Sequence, residues 1–229
     1  MIKLYHYIHC PFCIRVRMAL GALGKKFISQ PLDYHDEKTP IDLCGKKMLP
    51  ILTDNELALN ESLDIIKHLD SESSLHLDKL NHEKDLNQLE DLLSRLGKPI
   101  HNLCMPYWAY TKEFTPEARN YFIQKKSVKR GPFEKLIQNK NTFLQELTPL
   151  LKEVEDLIKS DDFSSFAKGH KKEDLSIFDI MLSSHIWGMY IFPEFQFSET
   201  IHTYLQNVKM ACEFEYHEDL WKDSSPPNL

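Results

Sequence analysis

The chain has 229 residues, 42% of them hydrophobic, and 28 Lys+Arg against 34 Asp+Glu give a net charge of −6. That length supports one or two domains with a core that needs no disulfide staples, and the slightly acidic balance argues against a nucleic-acid scaffold. Five cysteines are too few, and odd in number, for a secreted disulfide framework. Neither GxGxxG nor a Walker-type GxxxxGK run occurs, so the common glycine-rich phosphate cradles are missing.

The N-terminal Met1-Ile2-Lys3-Leu4-Tyr5-His6 has no long apolar h-region. Later apolar runs break well before the ~18 residues a membrane span requires. A cytoplasmic compartment is therefore the expectation, and in it a close cysteine pair points to catalysis or metal binding.

In chain order, Ile2 to Ile8 reads as a short strand and Pro11 to Leu23 as a helix stopped by Gly24. Phe27 to Leu32 gives a second strand, and a short helical turn covers Pro40 to Cys44. Pro50 to Thr53 and Leu57 to Leu59 read as a hairpin across Asp54-Asn55, and Glu61 to Leu69 as a closing helix. The order β-α-β-α-β-β-α predicts a small mixed sheet flanked by helices.

Residues 71–82 are polar and rich in Ser and Asp, a linker by composition. Beyond them the apolar period changes to three and four. Leu86, Leu89, Leu93, Leu96, Ile100 and Leu103 mark one face of a long helix. Thr115-Pro116 opens another helix that Gly131-Pro132 ends. Leu144, Leu147, Leu151, Val154 and Ile158 mark a third, which Pro149 is expected to kink or restart. No segment after residue 83 reads as a strand, and Asp223 to Leu229 reads as a frayed tail.

The strongest chemical signal is Cys10-Pro11-Phe12-Cys13. A CxxC between a first strand and a helix places Cys10 near the N-cap, facing unpaired N–H groups and the positive end of the dipole. Such donors favour thiolate over thiol. Cys13, one helical turn on, is placed to attack a mixed disulfide on Cys10 and is expected to be the more buried sulfur. A zinc site is the weaker reading, because no second CxxC or HxxxH completes it. Buried structural thiols are the other bland alternative.

Pro50, after Met48-Leu49, stands where a cis X–Pro bond would form an economical turn. Leu49 would then offer its backbone to an extended ligand beside Cys10, as an added strand. Glu61-Ser62 opens a helix whose N-terminus is able to hold an anion, although most such starts hold nothing.

In order and spacing, Cys10-Pro11-Phe12-Cys13, Met48-Leu49-Pro50 and Glu61-Ser62-Leu63-Asp64-Ile65 resemble a glutaredoxin. With the helical second half, and with Thr115 to Phe122 followed by Lys125-Lys126, the chain resembles the bacterial glutaredoxin 2 family, built on the glutathione-transferase fold. The resemblance runs to about residue 190. It implies a thioredoxin-like α/β N-terminal domain over 1–72, a linker over 73–82, an all-α glutathione-transferase-like domain over 83–216 and a tail over 217–229. It also implies glutathione as co-substrate, with no metal, and a thiol–disulfide oxidoreductase acting on glutathionyl mixed disulfides and protein disulfides. By position, Cys10 becomes the nucleophile and Cys13 the resolving thiol. Phe12, Leu49, Pro50, Glu61 and Ser62 become glutathione-binding residues. Phe12 stands where the motif usually has Tyr, and Tyr7 where many small glutaredoxins have Lys. Another basic group, Arg15 or Lys47, must then meet the glycyl carboxylate.

Ser176-Ile177-Phe178-Asp179 resembles the N-capping box of the core helix in glutathione-transferase-type proteins, and Leu175 and Ile180 stand at the staple positions. Two rival functions share this architecture: a cysteine-type glutathione transferase, and a non-catalytic interaction module using Tyr107, Trp108 and Tyr110. No nucleic-acid or membrane partner is expected, and the lack of a recognised dimer-lock signal favours a monomer. His9 is expected to be a satisfied or solvent-facing side chain. Cys44, Cys104 and Cys212 are expected to be buried spectators.

Overall fold

A computed structural model describes residues 1–160, 162–215 and Pro227. The expected tail thus lies, apart from Pro227, outside the described residues.

Strand β1 (Lys3–His6) runs into helix α1 (Pro11–Ala22), where Pro11 takes the first helical position. Its missing N–H removes a donor that the helix could not have paired there anyway. The helix stops at Gly24, whose φ of +61° is the left-handed conformation that L side chains rarely adopt. Strand β2 (Ile28–Pro31), helix α2 (Lys38–Cys44), strands β3 (Ile51–Asp54) and β4 (Leu57–Asn60) and helix α3 (Ser62–Leu69) follow in the predicted order.

The sheet has the order β2-β1-β3-β4. Strand β1 is parallel to β2, with Lys3 opposite Ile28, and antiparallel to β3, with Tyr5 opposite Ile51. The β3–β4 hairpin pairs Leu52 with Leu59 and turns through Asn55, at a φ of 54°. The bond between Leu49 and Pro50 is cis. This is a thioredoxin-like arrangement, with α1 packed against α3 and α2 against β3 and β4.

The helical domain is built around α4 (Glu83–Trp108), whose predicted leucine face is buried from Leu89 to Leu103 and half-buried at Leu86. Around it stand α5 (Pro116–Arg130), α6 (Phe133–Gln138), α7 (Lys140–Lys159), α8 (Phe166–Gly169), α9 (Ile177–Ile186) and α10 (Glu199–Ala211). Thr115 caps α5, its side chain accepting from the Ala118 N–H at 3.2 Å. The capping box on α9 is complete: Asp179 N–H donates to Ser176 Oγ, and Ser176 N–H donates to Asp179 Oδ2 at 2.9 Å. Both staple residues, Leu175 and Ile180, are buried.

Three segments show more than the sequence did. Helix α7 runs through Pro149 as a single element, with that proline on the exposed face, where one lost backbone bond costs no buried partner. The polar segment after α3 is ordered. Asp70 accepts the N–H groups of Ser74 and Leu75 at 2.8 Å each, Leu75 is buried, and residues Leu77–Asn81 form a 3-10 turn. Its carbonyl partner comes from α9, where the Ile177 N–H reaches the Leu75 oxygen at 2.7 Å. Finally, Cys104 and Cys212 are buried but Cys44, at the end of α2, remains half-buried.

One large hydrophobic core joins α1, α3 and the sheet to α4, α7, α9 and α10. Helix α1 packs directly on α9, so the helix that begins at Cys10 is seated on the helical domain.

Candidate active site

Cys10 is the N-cap of α1, with extended backbone (φ −72°, ψ 124°), and its carbonyl accepts from the Ile14 N–H at 2.9 Å. The N–H groups of Phe12 and Cys13 face its sulfur without closing a capping hydrogen bond. The hydrogen bond from the Cys13 thiol is the largest influence holding Cys10 below the ordinary thiol range, down to about 7. Burial opposes it, while the two N–H groups and the Lys126 ammonium reinforce it. Cys13 itself is fully buried, and the Tyr7 N–H points at its sulfur from 3.4 Å. Burial, and then its bond to Cys10, push its thiol well up. One sulfur is thus an accessible thiolate near neutrality and its neighbour a protonated reserve.

Cys10 opens into a cleft of about 1370 Å³ between the sheet and helices α4 and α5. Phe12 and Leu49 line the cleft with it. Phe12 is 46% exposed, its ring edge-on to His185 at 5.4 Å and covered by the Arg15 guanidinium at 5.2 Å. Glu61 and Ser62 do not line this cleft. Glu61 is exposed at a φ of 71° and ion-paired with Lys46 at 3.5 Å. Ser62 is buried at the start of α3, its hydroxyl accepting from Arg15 Nη1 at 3.2 Å.

The two cations offered for a carboxylate are both engaged. Arg15 is 4% exposed and lies 3.5 Å, through Nη2, from His185 Nδ1 as well as bonding Ser62. Lys47 lines the cleft, but its ammonium donates to the Tyr34 carbonyl and the Tyr121 hydroxyl, each at 2.9 Å, and lies 3.3 Å from Glu37.

Several lining residues were not predicted. Tyr34, from the loop between β2 and α2, stacks on Tyr7 with centroids 4.3 Å apart and meets Phe122 edge-on at 4.6 Å. Burial, together with negative charge at the cysteines, raises both tyrosine hydroxyls far above their ordinary range. Glu113 and Trp108 bring the helical domain to the residue before Cys10. Trp108 stacks on His9 at 5.8 Å, and Glu113 lies 3.7 Å from its Nε2. His9 is buried, as the satisfied reading of it had it. Lys126 enters the cleft one turn after Phe122, a spacing that was readable as a shared helix face. Tyr34, alone in a polar loop, gave no such signal. Tyr107 and Trp108 are buried, and Tyr110 is 37% exposed.

Among the described residues no group of three or more His, Cys, Asp or Glu is placed to hold a metal ion. No helix among them is long and apolar enough to cross a membrane.

Residues 88–219 match the family "Glutaredoxin 2, C terminal domain", and residues 4–76 match "Glutathione S-transferase, N-terminal domain". Glutaredoxin 2 of Escherichia coli K12 is 31% identical over 161 residues, which span 69% of this chain and 74% of that protein. The structure is similar to glutaredoxin 2 from Salmonella typhimurium in complex with glutathione, with a TM-score of 0.76 and 26% identity over 94% of this chain and 96% of that one. Glutathione transferase GSTFuA3 from Phanerochaete chrysosporium shares the fold, with a TM-score of 0.73 at 17% identity over 93% and 98% of the two chains. With a family match over more than half its length, and a relative of this identity and coverage, the chain belongs to the glutaredoxin 2 family.

Proposed function

We propose that the protein is a glutathione-dependent thiol–disulfide oxidoreductase that reduces glutathionyl mixed disulfides and protein disulfides at Cys10 and Cys13. The observation that carries this reading is the asymmetry of the two sulfurs. Cys10 is lowered to about 7 at the mouth of a cleft, and Cys13 is buried behind it with its thiol pushed up. The glutathione complex of the Salmonella typhimurium relative supports the choice of thiol.

The chemistry is two successive exchanges. The Cys10 thiolate attacks the glutathionyl sulfur of a mixed disulfide, forms a Cys10–glutathione disulfide and expels the substrate as thiolate. A second glutathione thiolate then attacks the glutathionyl sulfur, releasing glutathione disulfide and restoring the Cys10 thiolate. Alternatively Cys13 gives up its proton and attacks Cys10, releasing glutathione and closing a Cys10–Cys13 disulfide. Two further glutathione molecules reduce that bridge. A sulfur with a lowered pKa is also the better leaving group, which favours turnover.

In this reading Leu49, before Pro50, pairs through its backbone with the cysteinyl part of glutathione, and Phe12 shields the sulfurs. The start of α3, at Glu61 and Ser62, takes the γ-glutamyl end, helped by the helix dipole and by the Arg15 guanidinium on the Ser62 hydroxyl. The thioredoxin-like domain is assigned to 1–72, the connection to 73–82 and the helical domain to 83–216.

Glutathione-dependent reduction of a small glutathionyl mixed disulfide tests this. Cys10→Ser is expected to abolish it and Cys13→Ser to spare much of it. Full activity in Cys10→Ser refutes the assignment. Conjugation of glutathione to an electrophile, with no dependence on Cys13 in any substrate, places the protein with the transferases instead.

A further inference from the structure

Among the described residues, the Lys126 ammonium is a cation of the cleft with no carboxylate paired to it. It projects from α5 over two aromatic faces, 5.4 Å from the Tyr34 centroid and 5.9 Å from that of Phe122. Its sequence neighbour Lys125 reaches Glu37 at 4.0 Å, and Lys38 pairs with Asp42. Lys47 is tied to Tyr34, Tyr121 and Glu37, and Arg15 to Ser62. No carboxylate pairs with Lys126 among the described residues, and its nearest carboxylate-free surroundings are the two rings. Burial works against its charge, and the Cys10 sulfur is the group that chiefly offsets this. An ammonium stripped of part of its water and given no carboxylate, with only the Cys10 sulfur to offset the burial, is an arrangement that a bound carboxylate completes.

The position narrows what that anion is. Lys126 shares the cleft with Cys10 and faces Tyr34, whose ring is stacked on Tyr7 three residues before Cys10. A molecule whose sulfur is at Cys10 and which fills this cleft can bring an anion there. The start of α3, assigned above to the γ-glutamyl end, lies outside this cleft wall.

We propose that Lys126 is a specificity-determining residue supplied by the helical domain, binding a carboxylate of the thiol compound disulfide-bonded to Cys10. For a glutathionyl group this is the glycyl carboxylate. The proposal rests on the glutathione reading above. It replaces Arg15 and Lys47 in that role, because both are already engaged.

The test uses reduced full-length protein and two disulfides, glutathione disulfide and the same compound esterified at its glycyl carboxylates. Formation of the Cys10–glutathione adduct is followed by acid quench and intact mass in a Cys13→Ser background. Lys126→Gln is expected to slow the reaction with the free acid about tenfold more than the reaction with the ester, the size of one charge-assisted hydrogen bond, the ester rate carrying only the loss of the Lys126 charge beside the Cys10 sulfur. Lys126→Arg is expected to restore most of the free-acid rate. An equal fall with both substrates, together with an upward move of the Cys10 thiolate titration, would make Lys126 a partner of the sulfur and overturn the proposal. So would no fall with either. If the Lys126-containing protein reacts no faster with glutathione disulfide than with cystamine, the glutathione reading itself fails, and that outcome is distinct from the other two.

Discussion

His9 places its Nε2 3.0 Å from the Oγ1 of Thr111, a residue 102 positions further along the chain. Thr111 Oγ1 also lies 2.8 Å from the Trp108 carbonyl oxygen, and Glu113 stands 3.7 Å from the same His9 nitrogen. Through this contact the loop after α4 holds the backbone position immediately before Cys10.

Glu113 is the charged member of that contact. Burial disfavours its ionised form, but His9 and then Thr111 outweigh this and hold it down to about 2. A carboxylate with a depressed folded pKa stabilises the fold fully above its ordinary pKa, and the contribution fades as pH falls toward the folded value. Glu113→Gln is expected to lose about 1–3 kcal/mol at neutral pH, with a smaller difference at pH ~3. Urea unfolding at the two pH values checks it, and a pH-independent difference contradicts it.

The pair of sulfurs sets a pH profile. Cys10 is held at about 7, chiefly by the Cys13 thiol. Thiolate absorbance near ~240 nm is expected to rise through that value, and alkylation by iodoacetamide to fall about tenfold per pH unit below it. Cys13→Ala removes the donor and moves the midpoint upward. A midpoint at the ordinary ~8.5 of a free thiol in the unsubstituted protein would sink the assignment.

Asp179 stabilises more than a helix cap. Besides the Ser176 N–H, its carboxylate accepts the Ser176 hydroxyl at 2.6 Å and the Tyr204 hydroxyl at 2.8 Å, all in the buried core. Asp179→Ala leaves these donors without a partner, so about 2–4 kcal/mol is the expected loss, above the ~1 kcal/mol of an ordinary cap. Asp179→Asn, which keeps the acceptor, is expected to fall between. Chemical denaturation of the three proteins decides it.

Gly21 allows the second contact of α1 with the helical domain. A Cβ at this position would lie 1.8 Å from the Cys212 carbonyl oxygen, just past α10, and that neighbour is backbone. Gly21→Ala must push the two helices apart, with an expected loss of about 1–3 kcal/mol or more, read as a lowered thermal midpoint. An unchanged midpoint shows that the helices separate freely there.

The order of elements was legible because its signals are local. Pro11 after Cys10, Thr115-Pro116, and the Ser176–Asp179 box each satisfy helix N–H groups within a turn of themselves, so neighbouring residues carry the whole message. The leucine period of α4 is local in the same sense. Composition marks 73–82 only as a connection, because the order there comes from the distant Ile177 N–H and from burial of Leu75 against the helical domain. Pro149 does not restart the helix for a related reason: α7 is stabilised by the packing of Leu147, Val154 and Ile158, which outweighs one missing backbone bond on its exposed side.

The cysteine pair, its place at a helix start and the family it belongs to were all present in the linear chain, since thiolate chemistry depends on the cap and on a partner one turn away. What faces that pair was not. Lys126, Glu113 and Tyr34 line the cleft with Cys10 because the helical domain, on which α1 packs through α9, meets the sheet there. Those positions follow from burying one continuous core between two domains, a sum over contacts that no short stretch of sequence contains.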